Sequence, residues 1–195
     1  MAKRLNNKSA KKPAQSSSNR RRQIIIGVIA VGVISLGYLL YLGLQPAGVI
    51  TGLVNFGRQS RGHDDTLHME SADLPPVGGT HHSIWQSCGI YTEPVPSENV
   101  VHSMEHGAAW IAYQPDLPAD DVAALQDYVR GQTFIVLSPF PGLRSPVVVS
   151  AWSVQIELDS ASDVRLEEFV DRYRLGPTTP ELGATCSDGV GEPLS

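Results

Sequence analysis

The sequence predicts a small α+β domain, a sheet of about four strands with two covering helices, preceded by a disordered basic tail and a single transmembrane helix. Three observations carry this prediction. Four short runs rich in Val, Ile and Trp, bounded by Gly, Pro or Ser, read as buried strands. Two later segments place apolar residues at helical spacing. Near the start, residues 24–44 carry no charge over 21 positions, long enough at about 1.5 Å per residue to span a bilayer core.

Residues 1–22 are rich in Lys, Arg, Asn and Ser without apolar periodicity, and read as a disordered cytoplasmic tail. The transmembrane helix is expected over 23–45. Eight positive charges and no acid precede or enter it, which keeps the N-terminus in the cytoplasm and puts the rest of the chain outside. A cleaved signal peptide fits less well, because the apolar run exceeds a usual signal core and Gln45-Pro46-Ala47-Gly48 is a poor cleavage site. Residues 46–74 mix Gly, Ser, Asp and Pro and read as a stem. The domain is expected over 75–187, and 188–195 as a C-terminal tail.

Within the domain, 108–113 form an apolar run between Gly107 and Pro115 and suit a strand. A helix follows over 118–130. Val122, Leu125 and Val129 set its period, Asp120 and Asp121 favour its start, and Gly131 stands at its end. Residues 134–137, 147–152 and 154–158 read as further strands, with the proline turn 139–142 between the first two. Leu166, Phe169, Val170 and Tyr173 form the stripe of a second helix over 163–174, closed by Gly176 and Pro177. No glycine-rich phosphate loop follows a strand.

Charge divides the chain unevenly. Residues 46–195 hold all 20 acids and no lysine, for a net charge near −13, which excludes nucleic acid as a partner of that part. Membrane lipid, met through residues 24–44, is the one partner the sequence implies. The two cysteines, Cys88 and Cys186, both fall on the outer side. An even count in an oxidising compartment predicts a disulfide between them, worth about 4–5 kcal/mol in the chain-entropy picture. A thiolate ligand role for Cys88 is the alternative.

All six histidines lie between positions 63 and 106. His102, Glu105 and His106 form an H-x-x-E-H motif. On a helix, His102 and His106 share one face and can share a metal, with Glu105 as ligand, base or outer partner; this is also the inverted zinc-protease signature. On a strand, His102, Met104 and His106 would share a face that suits copper instead. His81 or His82 can add a ligand, while His63 and His68, in the expected stem, are weaker candidates. Histidines simply hydrogen-bonded to carboxylates are the alternative to any metal.

At these residues the chain resembles the bacterial domain-of-unknown-function family 3105 (DUF3105). The resemblance rests on Pro75-Pro76-x-Gly-Gly-x-His81, Cys88-Gly-x-Tyr91, Pro94, Val101-His102-x-x-Glu105-His106-Gly107 and Tyr113-x-Pro115. It continues through Ser138-Pro-x-Pro-Gly-Leu143, Ser145-Pro146, Ala151-Trp152 and the Phe169 helix, and covers roughly residues 62–187. It implies a single-pass or exported protein, and no established activity. His81, His102, Glu105 and His106 match family-type positions, whereas His82 is extra. Leucine is also familiar at position 104, which counts against a His-Met-His copper site. The leading expectation is therefore a membrane-anchored outer domain whose His81, His102, Glu105 and His106 bind a transition metal, zinc or copper. A partner-binding module of a membrane assembly with structural histidines comes second, and a metal-dependent hydrolase third. No nucleophile–base pair is readable, so the balance leans away from an enzyme.

Overall fold

The structure, a computed structural model, describes residues 17–43, 48–69 and 72–194. The chain divides into two units, Met1–Gly48 and Val49–Ser195. The first holds helix α1 (Ser17–Gly43). Its window Arg21–Tyr38 has a mean hydropathy of 1.4 and is long and apolar enough to cross a membrane, as a signal sequence also is. The expected basic tail as far as residue 16, and the far end of the expected span at 44–45, lie outside the described residues.

The second unit is a mixed α+β fold. Its strands are β1 (Val54–Asn55), β2 (Gly89–Ile90), β3 (Ala109–Tyr113), β4 (Ile135–Pro139), β5 (Val147–Ala151) and β6 (Val154–Leu158), and its helices α2 (Ser97–Glu105), α3 (Ala119–Val129) and α4 (Arg165–Tyr173). They form one sheet in the order β1-β6-β5-β3-β4-β2. The expected count of about four strands is corrected to six. The four central strands fall where the sequence puts them. The two added edge strands have two residues each, too short to show any periodicity.

The sheet is mixed. β4 runs parallel to β2 and β3, while β3–β5, β5–β6 and β1–β6 are antiparallel. Two crossovers share this arrangement: β2–α2–β3 runs one way across the sheet and β3–α3–β4 runs back. Right-handed connections in opposite directions place their helices on opposite faces. Accordingly, Leu125 and Val129 of α3 pack with Ile111, Leu137, Val149 and Ile156. The α4 stripe Leu166, Phe169 and Val170 joins them, each side chain contributing about 1.5–3 kcal/mol on burial. Val100, Val101 and Met104 of α2 pack on the other face with Trp110, Val136, Val148 and Trp152. Trp110 donates its Nε1–H to Ser138 Oγ at 2.9 Å, which satisfies both polar atoms inside this second core. Both faces are thus covered: two helices on one face as expected, and α2 on the other.

α2 itself is sandwiched. Its Glu98, His102 and Glu105, spaced i, i+4, i+7, share the stripe away from the sheet, yet all three are buried. The cover comes from both ends of the unit. One part comes from residues 58–69 and 72–87, within the expected stem and the start of the domain. The other is a C-terminal strap over 175–194, held by Leu175 N→Gly107 O (2.8 Å), Glu181 N→Glu105 O (3.0 Å), Val190 N→Trp85 O (2.9 Å) and Cys88 N→Cys186 O (2.7 Å). Cys88 and Cys186 stand at disulfide distance, with Cα atoms 5.4 Å apart.

Candidate functional site

Position 81 is set by the Gly78-Gly79 turn. Gly79 has φ +104°, a conformation L side chains rarely adopt, and its carbonyl turns back to accept a 2.8 Å bond from His81 Nδ1. His81 is wholly buried, its ring edge-on to Trp152 at 5.8 Å. A parallel β-bridge pairs His63 with His81, through Asp64 N→His81 O (2.8 Å) and His81 N→Gly62 O (3.0 Å). That bridge brings a residue of the expected stem to the site.

α2 supplies the rest. The 97–105 helix settles the conformation of the H-x-x-E-H motif, and the strand arrangement with Met104 beside the histidines does not occur: Met104 is fully buried in the core beneath. His102 donates Nδ1–H to the His82 carbonyl at 2.8 Å, leaving Nε2 as its lone-pair nitrogen. Its ring stacks on His63 (4.9 Å, 14°) and meets His81 edge-on (4.9 Å). Glu105, 1% exposed, ends the helix. Its Oε1 accepts one 2.5 Å bond from Arg61 Nε, and its Oε2 lies 3.0 Å from His81 Nε2 and 3.7 Å from His63 Nε2. One ligand atom from each of His63, His81, His102 and Glu105 falls within 4.8 Å of the others.

His106, the cap residue of α2, stands at the edge of this group. Its ring is 4.5 Å from that of His102, its Nδ1 donates to Thr185 O at 2.6 Å, and its Nε2 lies 3.9 Å from Glu181 Oε2. Arg61 joins the two carboxylates, reaching Glu181 Oε1 at 2.5 Å as well as Glu105. The Trp85 ring flanks His102 and His106 at 5.8 and 5.2 Å. His82 gives the site its carbonyl, while its own ring accepts from Ile84 N and faces Asp65. His68 is away from the group, largely exposed beside Glu98. The structure therefore brings together His81, His102 and Glu105, adds His63, and keeps His106 next to them.

Electrostatics suit ligation. Burial lowers the His102 pKa; the bond to the His82 carbonyl opposes this, and repulsion from His106, His81 and His63 adds to it. Its imidazole is thus held neutral, the form that binds a metal. The hydrogen bond to Glu105 raises Arg61 further above its ordinary value. His81 Nε2 and Glu105 Oε2 are both buried, and despite their 3.0 Å separation neither makes a hydrogen bond.

Fold and site define a mixed α+β domain with a His/Glu cluster that is buried at His81, His102 and Glu105 and exposed at His63, and the described residues also include a helix apolar enough to cross a membrane. Residues 64–188 match the model of DUF3105, a protein family of unknown function, and the chain belongs to that family. Neither the curated proteins nor the solved structures hold a match.

Proposed function

We propose that the folded unit is a transition-metal-binding module, carried outside the cell on α1 as a membrane anchor, with His63, His81, His102 and Glu105 as ligands. The His81–Glu105 contact carries this reading. His81 donates its Nδ1 proton to Gly79, so in the ligand reading its Nε2 lone pair faces a carboxylate oxygen 3.0 Å away. Two facing acceptors in a dry interior repel, and a buried unpaired carboxylate oxygen is costly. A shared cation removes both penalties. Ligands about 2.0–2.1 Å from zinc at tetrahedral angles stand about 3.4 Å apart, so the group draws in modestly from its 4.8 Å limit. Carbonyl acceptors on Nδ1 of His81 and His102 are the outer partners that fix the tautomer of metal-binding imidazoles. Three imidazoles and a carboxylate, with no sulfur, suit zinc or Cu(II). His106 acts from the second ring, orienting Glu181 and the strap.

A second reading has one observation behind it. Arg61 already neutralises Glu105, so the cluster can be a hydrogen-bonded structural element of a partner-binding module. Hydrolysis has less support, because Glu105, the base of that motif, is engaged by Arg61 and His106 faces Glu181. The test is elemental analysis of the full-length protein, purified in detergent without a polyhistidine tag. One equivalent of zinc or copper is expected, lost in His63→Ala and His102→Ala and retained in His106→Ala. Equal metal content in wild type and all three variants would overturn the proposal.

A further inference from the structure

Two cavities flank the cysteine pair. One, of about 300 Å³, is lined by Cys88, Thr133, Phe134, Thr185, Cys186 and Ser187. The other, of about 270 Å³, is lined by Cys88 with Ile90, Arg130 and Pro193, and does not include Cys186. Cys88 is half-buried, whereas Cys186 is 7% exposed. Both cavities therefore reach Cys88, the more exposed member of the pair. A cross-link that served only to hold the fold would be better packed away from thiols, since exchange requires access.

The same cysteines anchor the strap that covers the His/Glu cluster. Thr185, next to Cys186, accepts the His106 Nδ1 bond, and Glu181 holds Arg61 and the Glu105 carbonyl. Trp85, beside His102, donates to Ser187 O at 3.0 Å. Every one of these strap contacts lies within five residues of Cys186.

We propose that Cys88–Cys186 is a thiol–disulfide exchange site for a dithiol partner, and that its reduction loosens the strap and weakens the metal site. The second half rests on the metal reading above. A partner thiolate attacks Cys88 Sγ, forming a mixed disulfide as the Cys88–Cys186 bond breaks. Cys186 leaves as a thiolate and takes a proton. The partner's second thiolate then attacks the partner sulfur of that mixed disulfide, closing the partner's own disulfide and releasing Cys88, which is protonated in turn. Two electrons and two protons pass from the dithiol to the cysteine pair.

Dithiothreitol is the probe, applied to the folded full-length protein in detergent without denaturant. Thiols released over time are alkylated with iodoacetamide and counted by mass. Labelling of both cysteines at a rate proportional to dithiothreitol is expected, slowed at least tenfold by the double variant Thr133→Trp/Arg130→Trp, which narrows both cavities from exposed positions. Labelling only in denaturant, a rate independent of dithiothreitol, or an unchanged rate in the Thr133→Trp/Arg130→Trp double variant would overturn the exchange site. The alkylated form, whose sulfurs no longer bind metal, is expected to hold zinc at least tenfold more weakly than the oxidised form. Equal affinities would overturn the coupling. If the oxidised protein binds no zinc, the metal reading and the coupling both fall, and the labelling rates decide the exchange site by themselves.

Discussion

Replacing Glu105 with glutamine separates the two readings of the cluster, because they predict opposite outcomes for the metal-free protein. Glutamine keeps the shape, still accepts from Arg61 through its amide oxygen, and can donate its amide to the His81 Nε2 lone pair. If Glu105 is a ligand waiting for a cation, the stripped variant melts within about 3 °C of wild type, since the change relieves a repulsion and the half-exposed Arg61, losing one charge partner, keeps Glu181 and the glutamine oxygen. If instead His81 is a buried imidazolium paired to Glu105, the variant breaks a buried ion pair. That costs about 3–5 kcal/mol, or about 6–20 °C at about 2–4 °C per kcal/mol for a unit of this size. With metal the order reverses. Zinc at about 100 times its dissociation constant stabilises wild type by about 2.7 kcal/mol. A variant binding about 100-fold more weakly gains only about 0.4 kcal/mol. The missing 2.3 kcal/mol or so removes about 5–9 °C of the zinc-induced rise. The assay is thermal melting of both proteins, stripped by chelator and then zinc-loaded. An equal zinc-induced rise in both, or a stripped variant melting 6 °C or more below wild type, would refute the ligand role.

Three further outcomes follow from the same geometry. Gly107→Ala places a Cβ 2.8 Å from Leu175 Cδ2 at φ +112°, and is expected to cost about 1–3 kcal/mol in denaturant unfolding. Met104→Leu nearly conserves volume in the core below the site, so metal affinity should stay unchanged and stability should fall by less than about 1.5 kcal/mol; a loss of copper or zinc would restore the thioether as a ligand. Glu157, bonded by Arg144 and Ser145, has its pKa lowered to about 2. A lowered carboxylate pKa adds stability that is present above the ordinary value of 4.5 and is lost as pH falls toward 2. Glu157 is about a third exposed, so screening cuts this to about 1 kcal/mol or less. Wild type should therefore exceed Glu157→Gln by a constant margin at pH 5–7, closing near pH 2 in acid titrations followed by circular dichroism.

The central strands and the helices α3 and α4 were legible because each carries its own period or composition over five or more residues. The runs at 109–113 and 147–151 are buried throughout, as strands covered on both faces are, so alternation could not tell which face each helix takes. The crossover order does tell it, once β2 is known, but β2 has two residues and no pattern. His81, His102 and Glu105 were legible as a motif and a spacing. His63 was not: it reaches the site by one β-bridge from a stretch without local regularity. The available signal was distributional, since every histidine falls between positions 63 and 106. Arg61 carried no signal at all, because its role comes from two carboxylates 44 and 120 residues away in the chain.

The two-ended cover of α2 bears on when the site becomes competent. Its walls join residue 61 to residue 181, while α2 and β3 lie in between. Contacts of such sequence separation form late in folding, since the closing of long loops must precede them. During synthesis, the strap is also the last part of this unit to emerge. A chain stopped near residue 174 would still contain every strand and helix of the sheet, yet lack Glu181, Thr185 and Cys186. The cluster is therefore assembled from residues made early and enclosed only by residues made later, so its cover and its walls belong to different stages of synthesis.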